Sequence, residues 1–273
     1  MLSQEFSQEE SANLIRELIS FFTYIPKLEI SLNLDKRISE SELLKIHFGV
    51  KDLIKHRPLQ YILGKASFDN LELDVNENVL IPRPETEELV NLIIRNNKTT
   101  NLNILDIGTG SGAIAIALKS HLKSNIFAVD ISEYALKLAQ QNADKAKVKI
   151  NFVQCNILNK VHWKRIPNNL NIIVSNPPYV RNSERKYMQK NVLNYEPEIA
   201  LFVDDNNPLV FYKAIAELSV QKLKNNGELW FEINEHLANE LVILMQSYFK
   251  NIEIIKDFRG KNRFCKLKDI SNT

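Results

Sequence analysis

The tetrapeptide Asn176-Pro177-Pro178-Tyr179 sets a side-chain amide and an aromatic ring on one stiff stretch of backbone. Each proline holds φ at about −65° and brings no N–H, so neither can continue a strand ladder. The preceding Ile172-Ile173-Val174 is apolar and β-branched, which places the tetrapeptide at the carboxyl end of a buried strand. In open α/β sheets that rim is where ligands bind. Such a frame suits the gripping of a planar NH2 group. Taken alone it reads equally well as a strand-ending turn.

A second cluster lies upstream. Three of the chain's seven glycines fall in Gly108-Thr109-Gly110-Ser111-Gly112, between an apolar run and a helical stretch. Glycine there permits a tight turn and lets backbone approach a ligand. The free N–H groups at the start of the following helix face the same place. No Lys-Ser/Thr follows the glycines, so this is not a P-loop. Asp130 ends the next apolar run, about 20 residues past the first glycine, where an acid can accept both ribose hydroxyls of a nucleoside cofactor. Its bland alternative is a helix cap shared with Ser132. The loop reads Asp-x-Gly-x-Gly-x-Gly, with Asp106 where dinucleotide folds carry an apolar residue.

These residues need a scaffold, and the periodicity supplies one. To about residue 65 the pattern is helical. Ile15, Leu18, Ile19 and Phe22 recur at helix spacing, as do Leu43, Leu44, Ile46, Phe48, Val50, Leu53 and Ile54, with Ser39 or Ser41 as cap. Residues 66–80 alternate weakly around Asp69-Asn70 and Asn76–Asn78 and predict a β-hairpin. From about 100 onward strand and helix alternate, with apolar strands at 104–107, 126–129, 150–153, 172–174 and 229–233, and helices at 111–121, 133–146 and 209–223. That rhythm predicts an α/β, doubly wound, mostly parallel sheet. Two final short strands, 252–255 and 264–267, lack an intervening helix and predict an antiparallel edge. The expected division is a helical domain over 1–65, a hairpin and linker over 66–85, and the sheet domain over 86–273.

Bulk properties narrow the setting. The 273 residues suffice for one large domain or one plus a smaller one. A net charge of +2 gives no reason to expect a dedicated nucleic-acid surface. No basic segment followed by an apolar one opens the chain, and its longest apolar run is far below a membrane span. A cytoplasmic protein with no membrane partner is expected. Cys155 and Cys265 lie apart in apolar segments and read as free thiols, no metal-ligand spacing occurs, and the five histidines are scattered.

The loop pattern resembles the S-adenosylmethionine-dependent methyltransferases. That resemblance implies a seven-stranded Rossmann-like sheet, S-adenosyl-L-methionine as methyl donor, and loop residues 108–112 around its methionine portion. It implies Asp130 on the ribose and Asn156-Ile157 beside the adenine. Asn-Pro-Pro-Tyr on the fourth strand of such a fold marks enzymes that methylate amide or exocyclic amino nitrogens. Pro58-Leu-Gln-Tyr-Ile-Leu-Gly64, Phe68, Ile81-Pro82-Arg83-Pro84-Glu85-Thr86-Glu87, Asn194-Tyr-Glu-Pro-Glu-Ile-Ala-Leu201 and Gly260-x-x-Arg263 together resemble the HemK/PrmC family. These are the peptide chain release factor glutamine N5-methyltransferases.

The implied substrate is a class 1 release factor, bound by a monomer through its Gly-Gly-Gln glutamine, with no direct nucleic-acid contact. The helical domain would recognise it. Asn176, Pro177, Pro178 and Tyr179 would grip the amide, and Pro82, Arg83 and Pro84 would form an active-site wall; alternatively, the 81–87 segment is a capped linker. The chain departs from the family at Asn156-Ile157, where Asp-Trp is usual, and Trp163 is a possible substitute. It departs again after Leu201, where a glycine-rich turn is usual. Competing readings are a ribosomal-protein glutamine methyltransferase, a DNA or RNA exocyclic-amine methyltransferase, a non-catalytic binding protein and an NAD-dependent oxidoreductase.

Overall fold

The structure is a computed structural model that describes residues 2–97 and 99–271. It divides into two compact units, one built from the chain up to residue 65 together with 189–195, the other from 66–188 and from 196 onward. The short return of 189–195 to the helical unit has no counterpart in the sequence reading, which gave that stretch to the sheet domain.

In the helical unit, α1 (Gln8–Thr23) starts at Ser7, whose hydroxyl accepts the Glu10 N–H. Helix α2 (Glu40–Ile54) starts at Ser39, where Ser39 and Glu42 satisfy each other's backbone N–H in a capping box. Helix α3 (Leu59–Leu63) is bounded by Pro58 and a left-handed Gly64. Leu18 and Leu53 form the buried contact, with Leu14, Ile15, Phe22, Val50 and Ile54 against them. The α2 repeat is only partly a core face, because Leu43, Leu44 and Phe48 are exposed. Apolar residues spread round this helix exceed the stripe that one packing line covers.

The predicted hairpin follows, β1 (Lys65–Phe68) and β2 (Leu71–Asp74), all but Lys65 in the second unit. Asp69 and Asn70 both take positive φ in its two-residue turn. Then follow α4 (Pro84–Asn96), β3 (Asn103–Ile107), α5 (Ala113–His121), β4 (Asn125–Asp130), α6 (Glu133–Lys145), β5 (Asn151–Gln154) and β6 (Leu170–Ser175). After β7 (Val180–Arg181) the chain passes through α7 (Lys190–Tyr195), of the helical unit, to β8 (Phe202–Val203), which pairs with β7. It ends with α8 (Val210–Lys222), β9 (Leu223–Glu232), α9 (Ala238–Met245), β10 (Phe249–Lys256) and β11 (Asn262–Ile270). Helix α9 was not anticipated, because its eight mainly apolar residues carry little amphipathic signal.

Seven strands form one sheet in the order β10-β11-β9-β6-β3-β4-β5. Strand β11 is antiparallel to both β9 and β10, and the other pairs are parallel. The pleat sorts the side chains to two faces. Leu105, Ile107, Ile173, Leu229 and Phe231 pack with Tyr212, Ile215 and Leu218 of α8 and with α9. Ile104, Ile172, Val174 and Trp230 pack with Leu89, Val90 and Ile93 of α4 and with α5. Strand order reverses between β3 and β6, the switch point at which such sheets open a crevice at their carboxyl ends.

Candidate active site

A cleft of about 310 Å³ opens at that switch point. Its walls are the residues just past the strands: Gly108 and Gly110 after β3, Asp130 and Ser132 after β4, Cys155 to Leu158 after β5, and Ser175 to Pro178 at the end of β6. Gly108 and Gly110 have φ of +74° and +54°, and an added Cβ at either would meet no atom within 4 Å. Backbone therefore forms this wall, and a ligand can approach it closely.

Asp130 organises the loop. Its Oδ2 accepts the Gly110 N–H at 2.9 Å and its Oδ1 accepts the Ser132 N–H at 2.9 Å. Ser132 in turn caps α6 through the Ala135 N–H. Asp130 thus braces the turn and lines the cleft, while the cap of α6 is Ser132 itself. Burial raises its pKa above the ordinary aspartate value, against the hydrogen bonds from Ser132 and Gly110. Behind it, burial pushes the Asp106 carboxyl from 3.8 up to about 7, opposed by the Thr109 hydroxyl bond at 2.6 Å.

The other loop residues stand behind the wall. Thr109 is spent on Asp106, the Ser111 carbonyl accepts from Asn142 of α6, and Gly112 begins α5 against Ala139. None of the three lines the cleft. Asn156 and Ile157 do line it, but the Asn156 Oδ1 already accepts the Leu158 N–H at 3.0 Å. Trp163 is buried, donates its Nε1–H to the Ile157 carbonyl and has a core role.

Of the tetrapeptide, Asn176, Pro177 and Pro178 line the cleft and Tyr179 does not. The Tyr179 ring packs on the α8 side of the core and its hydroxyl donates to Glu232 Oε1 at 3.0 Å. Thr86, in the first turn of α4, donates to Glu232 Oε2 at 2.6 Å and accepts from Asn176 Nδ2 at 3.1 Å. Pro84 fills the first turn of α4 and Arg83 precedes it without a side-chain capping bond.

The wall expected from Pro82, Arg83 and Pro84 is supplied by Asn78, Val79 and Leu80 instead. Arg83 pairs with the buried Glu196 at 2.6 Å, and Glu196 also accepts the Ile81 N–H. That carboxylate joins the 81–87 segment to the 194–201 segment. Other walls missed from sequence are Pro197, Ile199, Ala200, Phe211 and Ile215. Glu232 was missed as well, although an acid in the apolar run 229–233 is the kind of buried charge that asks for a partner. Arg263, of the Gly260-x-x-Arg263 motif, bonds Asp257 and the Ile233 carbonyl.

A seven-stranded, mostly parallel sheet with this glycine loop and cleft has the fold of the Rossmann-like S-adenosylmethionine-dependent methyltransferases. A methyltransferase from Pyrococcus furiosus matches 86% of this chain and all of its own, with a TM-score of 0.53 at 16% identity. A 16S rRNA N2 methyltransferase of Thermus thermophilus, solved with AdoMet and guanosine, matches 75% of this chain and 49% of its own, with a TM-score of 0.54 at 14% identity. Residues 85–196 match the family model of the methyltransferase small domain. The release factor glutamine methyltransferase of Flavobacterium psychrophilum is 44% identical over 97% of this chain and 94% of its own. That of Lactococcus lactis is 42% identical over 85% of each chain. This chain belongs to the release factor glutamine methyltransferase family.

Proposed function

We propose that this chain transfers a methyl group from S-adenosyl-L-methionine to the side-chain amide nitrogen of the glutamine in the Gly-Gly-Gln motif of class 1 release factors. It acts as a cytoplasmic monomer, and on a protein rather than on nucleic acid, the last in keeping with the net charge of +2. One observation carries the chemistry. The Asn176 amide stands in the cleft wall at the end of β6, across the switch point from the glycine loop, with its Nδ2 already engaged by Thr86.

S-adenosyl-L-methionine supplies a sulfonium-activated methyl and leaves as S-adenosyl-L-homocysteine. The residues present fit it, because Gly108 and Gly110 offer open backbone and Asp130 a carboxylate in the same cleft. Asn156 and Ile157 would flank the adenine. An amide nitrogen is a poor nucleophile, since its lone pair is delocalised into the carbonyl. Asn176 Oδ1 and the Pro177 carbonyl would accept its two N–H bonds. As the nitrogen–carbon bond forms and the carbon–sulfur bond breaks, positive charge grows on nitrogen, and those acceptors stabilise it more than they stabilise the ground state. The surplus proton leaves to water. Holding the reactants in line can supply roughly 7–11 kcal/mol of the barrier. Pro178 stiffens the frame, while Tyr179 acts from behind it.

The test is incubation with methyl-labelled S-adenosylmethionine and purified class 1 release factor, its Gly-Gly-Gln glutamine intact or replaced. Label is expected only on the intact factor. Label on a ribosomal protein or on nucleic acid instead would overturn the substrate assignment. Asn176→Ala is expected to lose turnover by about 100-fold or more while S-adenosylhomocysteine affinity changes little. Comparable turnover by the two proteins would remove Asn176 from the reaction.

A further inference from the structure

Glu232 is almost wholly buried at the carboxyl end of β9, yet both of its oxygens are used. Oε1 accepts from Tyr179 and Oε2 accepts from Thr86. Tyr179 and Thr86 each lead back to the tetrapeptide, one as a member and the other through its bond to Asn176. The four residues come from β9, the first turn of α4 and the segment after β6.

Hydrogen counting gives this chain of bonds a direction. A carboxylate only accepts, and a threonine hydroxyl has one hydrogen. With that hydrogen held by Glu232 at 2.6 Å, Thr86 Oγ1 can only accept from Asn176. The Asn176 side chain must therefore turn its NH2 toward Thr86. The opposite orientation would set its carbonyl oxygen against the Thr86 oxygen, two acceptors at about 3 Å, and leave a buried polar contact unmade. No described residue donates to Asn176 Oδ1, which leaves that oxygen as the amide's acceptor at the cleft wall.

We propose that Glu232, acting through Thr86, is the positioning residue that fixes which face of the Asn176 amide meets the substrate, and that it anchors Tyr179 in the same frame. The proposal rests on the acceptor role given to Asn176 above. Burial raises the Glu232 carboxyl above the ordinary glutamate range, opposed first by the two hydroxyl bonds from Thr86 and Tyr179 and then by Arg263 beside it. Burial, followed by the Glu232 charge, holds the Tyr179 hydroxyl well above the ordinary tyrosine range, so Tyr179 remains a donor. Tyr212 spends its hydroxyl on the Glu232 backbone carbonyl and does not compete. The Gly260-x-x-Arg263 motif thereby gains a purpose at the site.

The critical variant is Glu232→Gln in the full chain, because it keeps size and shape but introduces a donor. A donor facing Thr86 lets the threonine hydroxyl turn and donate to Asn176 Oδ1, reversing the amide. The expected result is a loss of kcat of about 100-fold, with kcat/KM falling equally, while the thermal midpoint and calorimetric S-adenosylhomocysteine affinity stay near wild type. Thr86→Val should show the same loss, and Thr86→Ser should recover most of it by restoring the hydroxyl. The Glu232→Gln, Thr86→Val double variant should be no worse than either single one, since both break one chain. Wild-type kcat in Glu232→Gln would overturn the proposal. So would a parallel fall of kcat, melting midpoint and cofactor affinity in both Glu232→Gln and Thr86→Val, which is the signature of a purely structural contact. Asn176→Ala is measured alongside. Normal turnover there sinks the underlying reading, whereas an inactive Asn176→Ala with an active Glu232→Gln sinks this proposal alone.

Discussion

Two carboxylates support the glycine loop, and burial makes the charge of each expensive. Asp106 is fully buried and carries the larger consequence. Its folded value of about 7 stands above the 3.8 of the unfolded chain, so between those pH values the folded state holds the extra proton. Stability from this group is fully present below about pH 4 and is lost as pH rises through about 7. The swing is on the order of 4 kcal/mol. Asp106→Asn should flatten that part of the stability profile, checked by urea unfolding at a series of pH values. An unchanged slope would mean that Asp106 is not the titrating group. Asp130 is shifted in the same direction by burial, but its two backbone hydrogen bonds oppose the shift. It is the residue of the pair that faces the cleft.

At the scale of elements, the glycines of one loop do two different jobs. Gly110 has a positive φ and open space before it, so its backbone stands open at the cleft. Gly112 also has a positive φ, but a Cβ there would lie 3.1 Å from both Ala139 Cβ and Ile116 Cδ1, so it serves the packing of α5 on α6. Gly112→Ala should therefore lower stability by about 1–3 kcal/mol, read by denaturant unfolding. Gly110→Ala should lose only about 1 kcal/mol of stability and chiefly weaken S-adenosylhomocysteine binding by calorimetry. Equal effects on both readouts would show that the loop does not divide in this way. Asn142, buried on α6, ties this loop to the hairpin by donating to the carbonyls of Ser111 and Asp74 and accepting the Asp74 N–H.

At the scale of the molecule, the decisive contacts join segments remote in sequence. Arg83 and Glu196 meet across 113 residues, with the Glu196 side chain 1% exposed and that of Arg83 32% exposed. Arg83→Met strands a buried carboxylate and should destabilise by about 3 kcal/mol, the low end for such pairs because Arg83 reaches solvent. Adding Glu196→Gln should recover part of that loss. A double variant less stable than Arg83→Met by thermal unfolding would show that the pair does not act as one. The motifs holding Arg83 and Glu196 both bear the family resemblance, but nothing in either says that they touch.

Much of this protein is local and was therefore readable. Strand and helix periods, the glycine-rich turn after β3, the hairpin turn at Asp69-Asn70 and the proline frame after β6 follow from backbone sterics and from neighbours a few residues away. The tetrapeptide and Asp130 could be placed at the strand ends on those grounds alone. Tertiary structure decided what each polar group is bonded to. It took Tyr179 out of the cleft, gave it and Thr86 to Glu232, exchanged 82–84 for 78–80 in the cleft wall, and set Thr109 behind that wall. The reason is physical. Periodicity reports which face a residue occupies, whereas a hydrogen bond depends on where chain 53, 90 or 146 residues away has folded. The direction in which the Asn176 amide points is of that second kind.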